Sequence, residues 1–160
     1  MARMTKGGRR ERPLWAPTPV GYAPADGRSA MKYDGFLARV RERGEYNDQD
    51  EAADVTNAVL EVLAERISPG EVKDLASQLP GPLGHVLDHA APQHARSFGI
   101  EEFYRRVAER THARPRTAQW DASAVLTTVA DAVTGGELNQ IISQLPSSYA
   151  VLFGKADLAD

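Results

Sequence analysis

Ser77-Gln78-Leu79-Pro80 and Ser143-Gln144-Leu145-Pro146 are the same four residues, 66 positions apart. The agreement spreads outward from them. Downstream at the same spacing, Leu83 falls on Tyr149 and Leu87 on Phe153. Upstream, Ala58-Val59-Leu60 falls on Ala124-Val125-Leu126, Leu63 on Val129, Ile67 on Val133, and Gly70-Glu71 on Gly136-Glu137. Further back, Phe36-Leu-Ala-Arg-Val40-Arg-Glu-Arg43 matches Phe103-Tyr-Arg-Arg-Val107-Ala-Glu-Arg110 at a spacing of 67, so one residue has been lost in a loop. So many matches at one period indicate a tandem duplication of one structural unit. The matching positions are mostly apolar and helically spaced, so the duplication preserves a core rather than a catalytic constellation.

Each copy carries explicit helix signals. Phe36, Leu37 and Val40 make one apolar face of a short helix over 34–43, which Gly44 is expected to end. A second helix is expected from Asp50 to Arg66, where Val55, Val59, Leu60, Val62, Leu63 and Ile67 give a broad buried stripe, with its counterpart from Thr117 to Val133. Ser68-Pro-Gly-Glu71 and Thr134-Gly-Gly-Glu137 are both capping boxes, in which hydroxyl and carboxylate each accept a free backbone N–H at a helix start. The third helices run to Pro80 and Pro146, which bias the preceding Leu79 and Leu145 away from helical geometry. A short last helix follows each proline. The fold expected is all-α: two tandem copies of a roughly four-helix module packed about a pseudo-twofold as one domain. The first copy covers residues 31–90, the second 99–156, and the segment 88–99 joins them.

Residues 1–30 differ in kind. Pro13, Pro17, Pro19 and Pro24 recur too often for a helix or a central strand, and six Lys or Arg stand against two acidic residues, a balance of +4. A disordered basic arm is expected there, and the proline-rich run after Arg9, Arg10 and Arg12 does not resemble a secretory signal. The remaining 130 residues carry thirteen basic against twenty acidic groups, a balance of −7. An acidic body lacks the basic face that phosphate neutralisation needs, so nucleic acid is not the expected partner. The chain has no cysteine, which excludes disulfides, thiol nucleophiles and thiolate-bound metals and fits a cytoplasmic location. No apolar run approaches the roughly 18–20 residues that cross a bilayer, so no membrane partner is expected.

Five groups of residues are weighed as candidate sites. His85, Asp88 and His89, with His94 nearby, put imidazoles at i and i+4 beside a carboxylate, a set that suits zinc or iron. Against a metal role, Val151 and Lys155 occupy the positions of His85 and His89 in the second copy. Gln78 and Gln144, with Pro80 and Pro146, stand at equivalent turns. Their amides are expected to cap carbonyls at the ends of the third helices, or else the turns face a partner. Arg39 and Arg43, and equally Arg106 and Arg110, make basic i, i+4 pairs that could touch phosphate but more simply pair with neighbouring carboxylates. Glu101, Glu102, Asp48, Asp50 and Glu51 sit in helix first turns, where they favour the helix dipole. Ser77, Ser143, Thr127 and Thr128 have neither a glycine elbow nor a partnered histidine to make them nucleophiles.

The pattern Tyr33-Asp-x-Phe36-Leu-x-x-Val40, then Ala58-Val59-Leu60, then Glu71 leading into Gln78-Leu79-Pro80, repeated as Phe103 to Val107, Ala124 to Leu126 and Gln144-Leu145-Pro146, resembles the domain-of-unknown-function family 2267 over Met31 to Phe153. The resemblance implies a helical repeat fold in a small soluble bacterial protein and brings no catalytic residues with it. The N-terminal arm departs from the family, whose members begin near the position of Met31. The function expected is a non-enzymatic protein-interaction module that binds a protein partner or itself and needs no cofactor. The alternatives are a small metal- or ligand-binding protein using His85, Asp88 and His89, and weak nucleic-acid association through the basic arm.

Overall fold

A computed structural model describes residues 31–92, 94–113 and 115–154, and the expected arm over 1–30 lies outside them. Seven α-helices follow in order: α1 (Tyr33–Gly44), α2 (Gln49–Arg66), α3 (Pro69–Gln78), α4 (Gly81–Ala90), α5 (Ile100–Thr111), α6 (Pro115–Ala132) and α7 (Gly135–Ser143). A 3-10 helix, Ser147–Phe153, closes the described chain, and there is no strand among the described residues.

The two long helices are central because their apolar stripes are widest. α2 buries Val55, Ala58, Val59, Leu60, Val62, Leu63 and Ala64, and α6 buries Ala118, Ala122, Ala124, Val125, Leu126 and Val129. One continuous apolar cluster takes side chains from all eight helices, Leu79 and Leu145 included. The first helix of each half packs on both long helices: α1 on α2 and α6, α5 on α6 and α2. The third helices, α3 and α7, touch each other.

α1 ends at Gly44 as expected, but Gly44 is not its left-handed cap. The left-handed residue is Glu45, with φ 58°, and His112 plays the same part after α5 with φ 59°. The bonds from Tyr46 N–H to Arg41 O and from Ala113 N–H to Ala108 O, each 3.0 Å, close both ends in the same way. Gly44 is required for space: a Cβ there would overlap the ring of Tyr46. That ring folds back so that its hydroxyl donates to buried Asp121 Oδ1 at 2.6 Å. Burial and the Asp121 carboxylate both hold the Tyr46 phenol well above its ordinary pKa.

The last helices of the two halves differ. α4 is a regular helix, whereas Ser147–Phe153 winds as 3-10, in which residues three apart eclipse. The tighter winding stacks Tyr149 over Leu152 and Ala150 over Phe153, and all four are buried. Tyr149 meets Phe103 edge to face at 5.5 Å. In α4 the close approach is made instead at Gly84, where a Cβ would lie 3.0 Å from the Ala76 carbonyl oxygen of α3. Gly84→Ala therefore sets a gain of about 1 kcal/mol in helix propensity against an overpacking cost of about 1–3 kcal/mol. A net loss of about 1 kcal/mol is expected in urea denaturation, and a rise in stability would show that α3 and α4 can part freely.

Candidate functional site

Each Gln-Leu-Pro turn reaches into the other half of the molecule. Gln78 Oε1 accepts from the backbone N–H of Thr134 at 2.9 Å, and Gln144 Oε1 accepts from that of Ser68 at 2.8 Å. Ser68 and Thr134 are the N-caps of α3 and α7, so the end of each third helix caps the start of the other. The amide oxygens meet helix-start donors across the molecule, where carbonyls at the end of their own helix had been expected to engage the amides. Pro80 is partly exposed and Pro146 exposed, on the outer side of the same turns.

This exchange changes the capping boxes. One half of each forms as expected: Ser68 Oγ accepts from Glu71 N–H at 3.2 Å, and Thr134 Oγ1 from Glu137 N–H at 3.1 Å. In the other half, the donor that each glutamate would have accepted is held by a glutamine from across the molecule. At α2, where no such glutamine intervenes, Glu51 turns back on its own helix start, accepting at 2.8 Å from the N–H of Asn47, the residue before the N-cap Asp48.

The displaced glutamates meet at the contact of α3 and α7. Glu71 is 5% exposed and Glu137 7%, and the Oε2 atom of each is buried without a hydrogen-bond partner. Asp74, one turn along α3, is exposed and completes a trio whose carboxylate oxygens lie within 4.8 Å of one another. Burial first, then Glu71 and Asp74, together push the Glu137 carboxyl up to about 8. Two adjacent carboxylates with so little water cannot both remain charged without a proton or a cation between them. Serine or threonine three residues before glutamate reads identically whether the carboxylate turns back to the cap or onward to a second glutamate, so the sequence pointed only to caps.

The arginine pairs are engaged crosswise. Arg39 and Arg43 of α1 pair with Asp131 of α6, and Arg43 also donates to Thr127 and Thr128. Arg106 and Arg110 of α5 pair with Glu65 of α2 at 2.8 and 2.6 Å, and Arg110 with Glu61 at 3.1 Å. Glu102 joins Arg106 and Arg105, and these two guanidiniums hold its carboxyl down at about 2. The joint between the halves is pinned too. Phe98 O accepts from Arg66 Nε at 2.8 Å and from the Tyr149 hydroxyl at 3.0 Å, while the Arg106 guanidinium lies 4.3 Å over the Phe98 ring. Arg66 and Phe98 drew no attention in the sequence because neither has a matching partner in the other copy.

His85, Asp88 and His89 lie exposed on α4, where with Glu61 and Val86 they line an open depression of about 590 Å³. His94 is exposed beyond the end of that helix. On the other side, Trp120 is 50% exposed while its indole N–H donates to Gly44 O at 3.0 Å. The neighbouring residues Glu45 and Tyr46 line a groove of about 580 Å³ together with Gly35, Ala38, Arg41 and Gln49.

Helices alone among the described residues, with much of the polar side-chain chemistry turned onto the seam between two halves, define the class: an all-α protein whose distinctive polar site is internal. The chain belongs to the family described as Uncharacterized conserved protein (DUF2267), whose model matches residues 33–152. No curated protein matches it. No described helix is long and apolar enough to cross a membrane.

Proposed function

We propose that the chain is a non-enzymatic protein-interaction module, two copies of one four-helix unit packed about a pseudo-twofold axis and offering a fixed outer surface to a protein partner. The exchanged bonds support the axis. Gln78 to Thr134 is answered by Gln144 to Ser68, and Arg39 and Arg43 on Asp131 are answered by Arg106 and Arg110 on Glu65, each at the spacing of the repeat. The two halves of such a body are joined by side-chain bonds, and Arg39, Arg43, Arg106 and Arg110 are engaged with its own carboxylates.

The observation that carries the interaction role is Trp120. A half-exposed indole fixed by a hydrogen bond to the end of α1, near a groove lined by Gly35, Ala38, Arg41 and Glu45, has the form of a pre-ordered aromatic anchor. Anchors of this kind cost about 2 kcal/mol or more when truncated, roughly a thirtyfold loss of affinity. The test is affinity capture from native lysate with the full chain, with residues 31–160, and with Trp120→Ala. A stoichiometric protein held by the first two and lost from the third, with the variant's thermal unfolding near that of the parent, is the expected result. A partner captured equally by Trp120→Ala would remove this surface, and capture of nothing by any of the three would remove the role.

A further inference from the structure

We propose that Glu71, Asp74 and Glu137 form a site for one hard divalent cation of the Mg²⁺, Mn²⁺ or Ca²⁺ class, held between the first turn of α7 and the first two turns of α3. Acidity alone is not the ground, since acidic side chains are common at helix starts. The ground is the pair of buried Oε2 atoms, on Glu71 and Glu137, that meet no donor outside the pair itself. Helix starts ordinarily supply donors to such carboxylates, and here those at Ser68 and Thr134 are held by Gln144 and Gln78. The fold thus removes the hydrogen-bonding alternative from two carboxylates and aims them at each other.

The geometry fits a small ion. Oxygens bound at about 2.0–2.6 Å to one cation stand no more than roughly 4–5 Å apart across it. The three carboxylate oxygens lie within 4.8 Å of one another. An all-oxygen set without histidine or cysteine selects hard cations over zinc or copper. Asp74 lies on the solvent side and leaves room for the waters that Mg²⁺ or Ca²⁺ retains. With two ligands on α3 and one on α7, the ion would fasten the two halves together.

The full chain, freed of metal with a chelator and then dialysed, is titrated calorimetrically at neutral and alkaline pH with MgCl₂, MnCl₂ and CaCl₂ in turn, and its thermal unfolding is followed with each. At least one of the three ions is expected to bind once per chain and raise the unfolding temperature. Glu71→Gln and Glu137→Gln are each expected to lower that affinity by at least tenfold. The same substitutions relieve carboxylate repulsion, so the metal-free variants are expected to unfold at or above the temperature of the metal-free parent, which separates lost binding from lost folding. Asp74→Asn, altering the exposed ligand, is expected to weaken binding less. Absence of saturable binding by all three cations would overturn the site and leave the pair bridged by a proton. Binding that survives in both glutamine variants would overturn it equally, by placing the ion elsewhere.

Discussion

Replacing Gln78 or Gln144 singly by alanine is expected to lower folding stability by roughly 1–3 kcal/mol, because each substitution takes the glutamine acceptor from a partly buried helix-start N–H, and replacing both by less than the sum. The two bonds lie on the same pair of helices: α3 begins at the donor that Gln144 holds and ends at the glutamine that holds α7. Once one is lost, α3 and α7 are free to shift, and the second costs less. The double variant should therefore fall short of the sum of the single ones, a coupling that a double-mutant cycle in urea measures directly. Strict additivity would mean that the two ends of the seam are independent. Gln144→Glu keeps an acceptor oxygen at the same place and should retain the bond to Ser68, so a loss as large as that of Gln144→Ala would point to the amide nitrogen instead.

Stability in metal-free buffer is expected to fall as pH rises from about 4.5 to about 8. The folded Glu137 carboxyl is raised from its ordinary value of 4.5 to about 8 by burial and by Glu71 and Asp74. A group whose folded pKa lies above its unfolded one binds its proton more tightly when folded. Its contribution is thus complete below the unfolded pKa and is lost as pH climbs through the folded value. Glu71 shares the proton with Glu137, so the pair titrates together and sets the sign of the effect, and water reaching the Asp74 side reduces its size. Glu137→Gln, neutral at every pH, should flatten this slope and be the more stable protein near pH 8. A parent protein equally stable across the window would show that the pair carries no shared proton.

Much of the fold was legible because it is written in periods and breakers. The stripes of Val55 to Ile67 and Ala124 to Val133, the hydroxyl caps Ser68 and Thr134, and the stops at Pro80 and Pro146 act within a few residues of themselves, so each helix lies within a residue or two of where its pattern puts it. The exceptions have tertiary causes. Gly44 is the last residue of its helix without being the left-handed cap, and it clears room for the Tyr46 ring, which is drawn back by Asp121 from another helix. The segment after Pro146 is 3-10 rather than α because Tyr149 packs against Phe103.

The candidate site was hidden for the same reason. Gln78 and Gln144 stood out by repetition, but the groups they bond are 56 and 76 residues away. Which partner a repeated polar residue meets is fixed by how the copies pack, and that leaves no local signal. Glu71 and Glu137 were read as caps because their spacing satisfies a cap, and only the arrival of a glutamine from the opposite half displaces them.

The exchanged caps also set the proposed two-copy arrangement apart from an open array of repeats. Stacked repeats hand contacts forward, each unit to the next, so an array can lengthen and its terminal units need sealing. Here Gln78 meets the start of α7 and Gln144 the start of α3, a reciprocal exchange of the kind found in an isologous interface between identical subunits. Under the duplication proposed above, pairing in twos would follow from closure, since a lone half would expose one unsatisfied N–H and one idle glutamine.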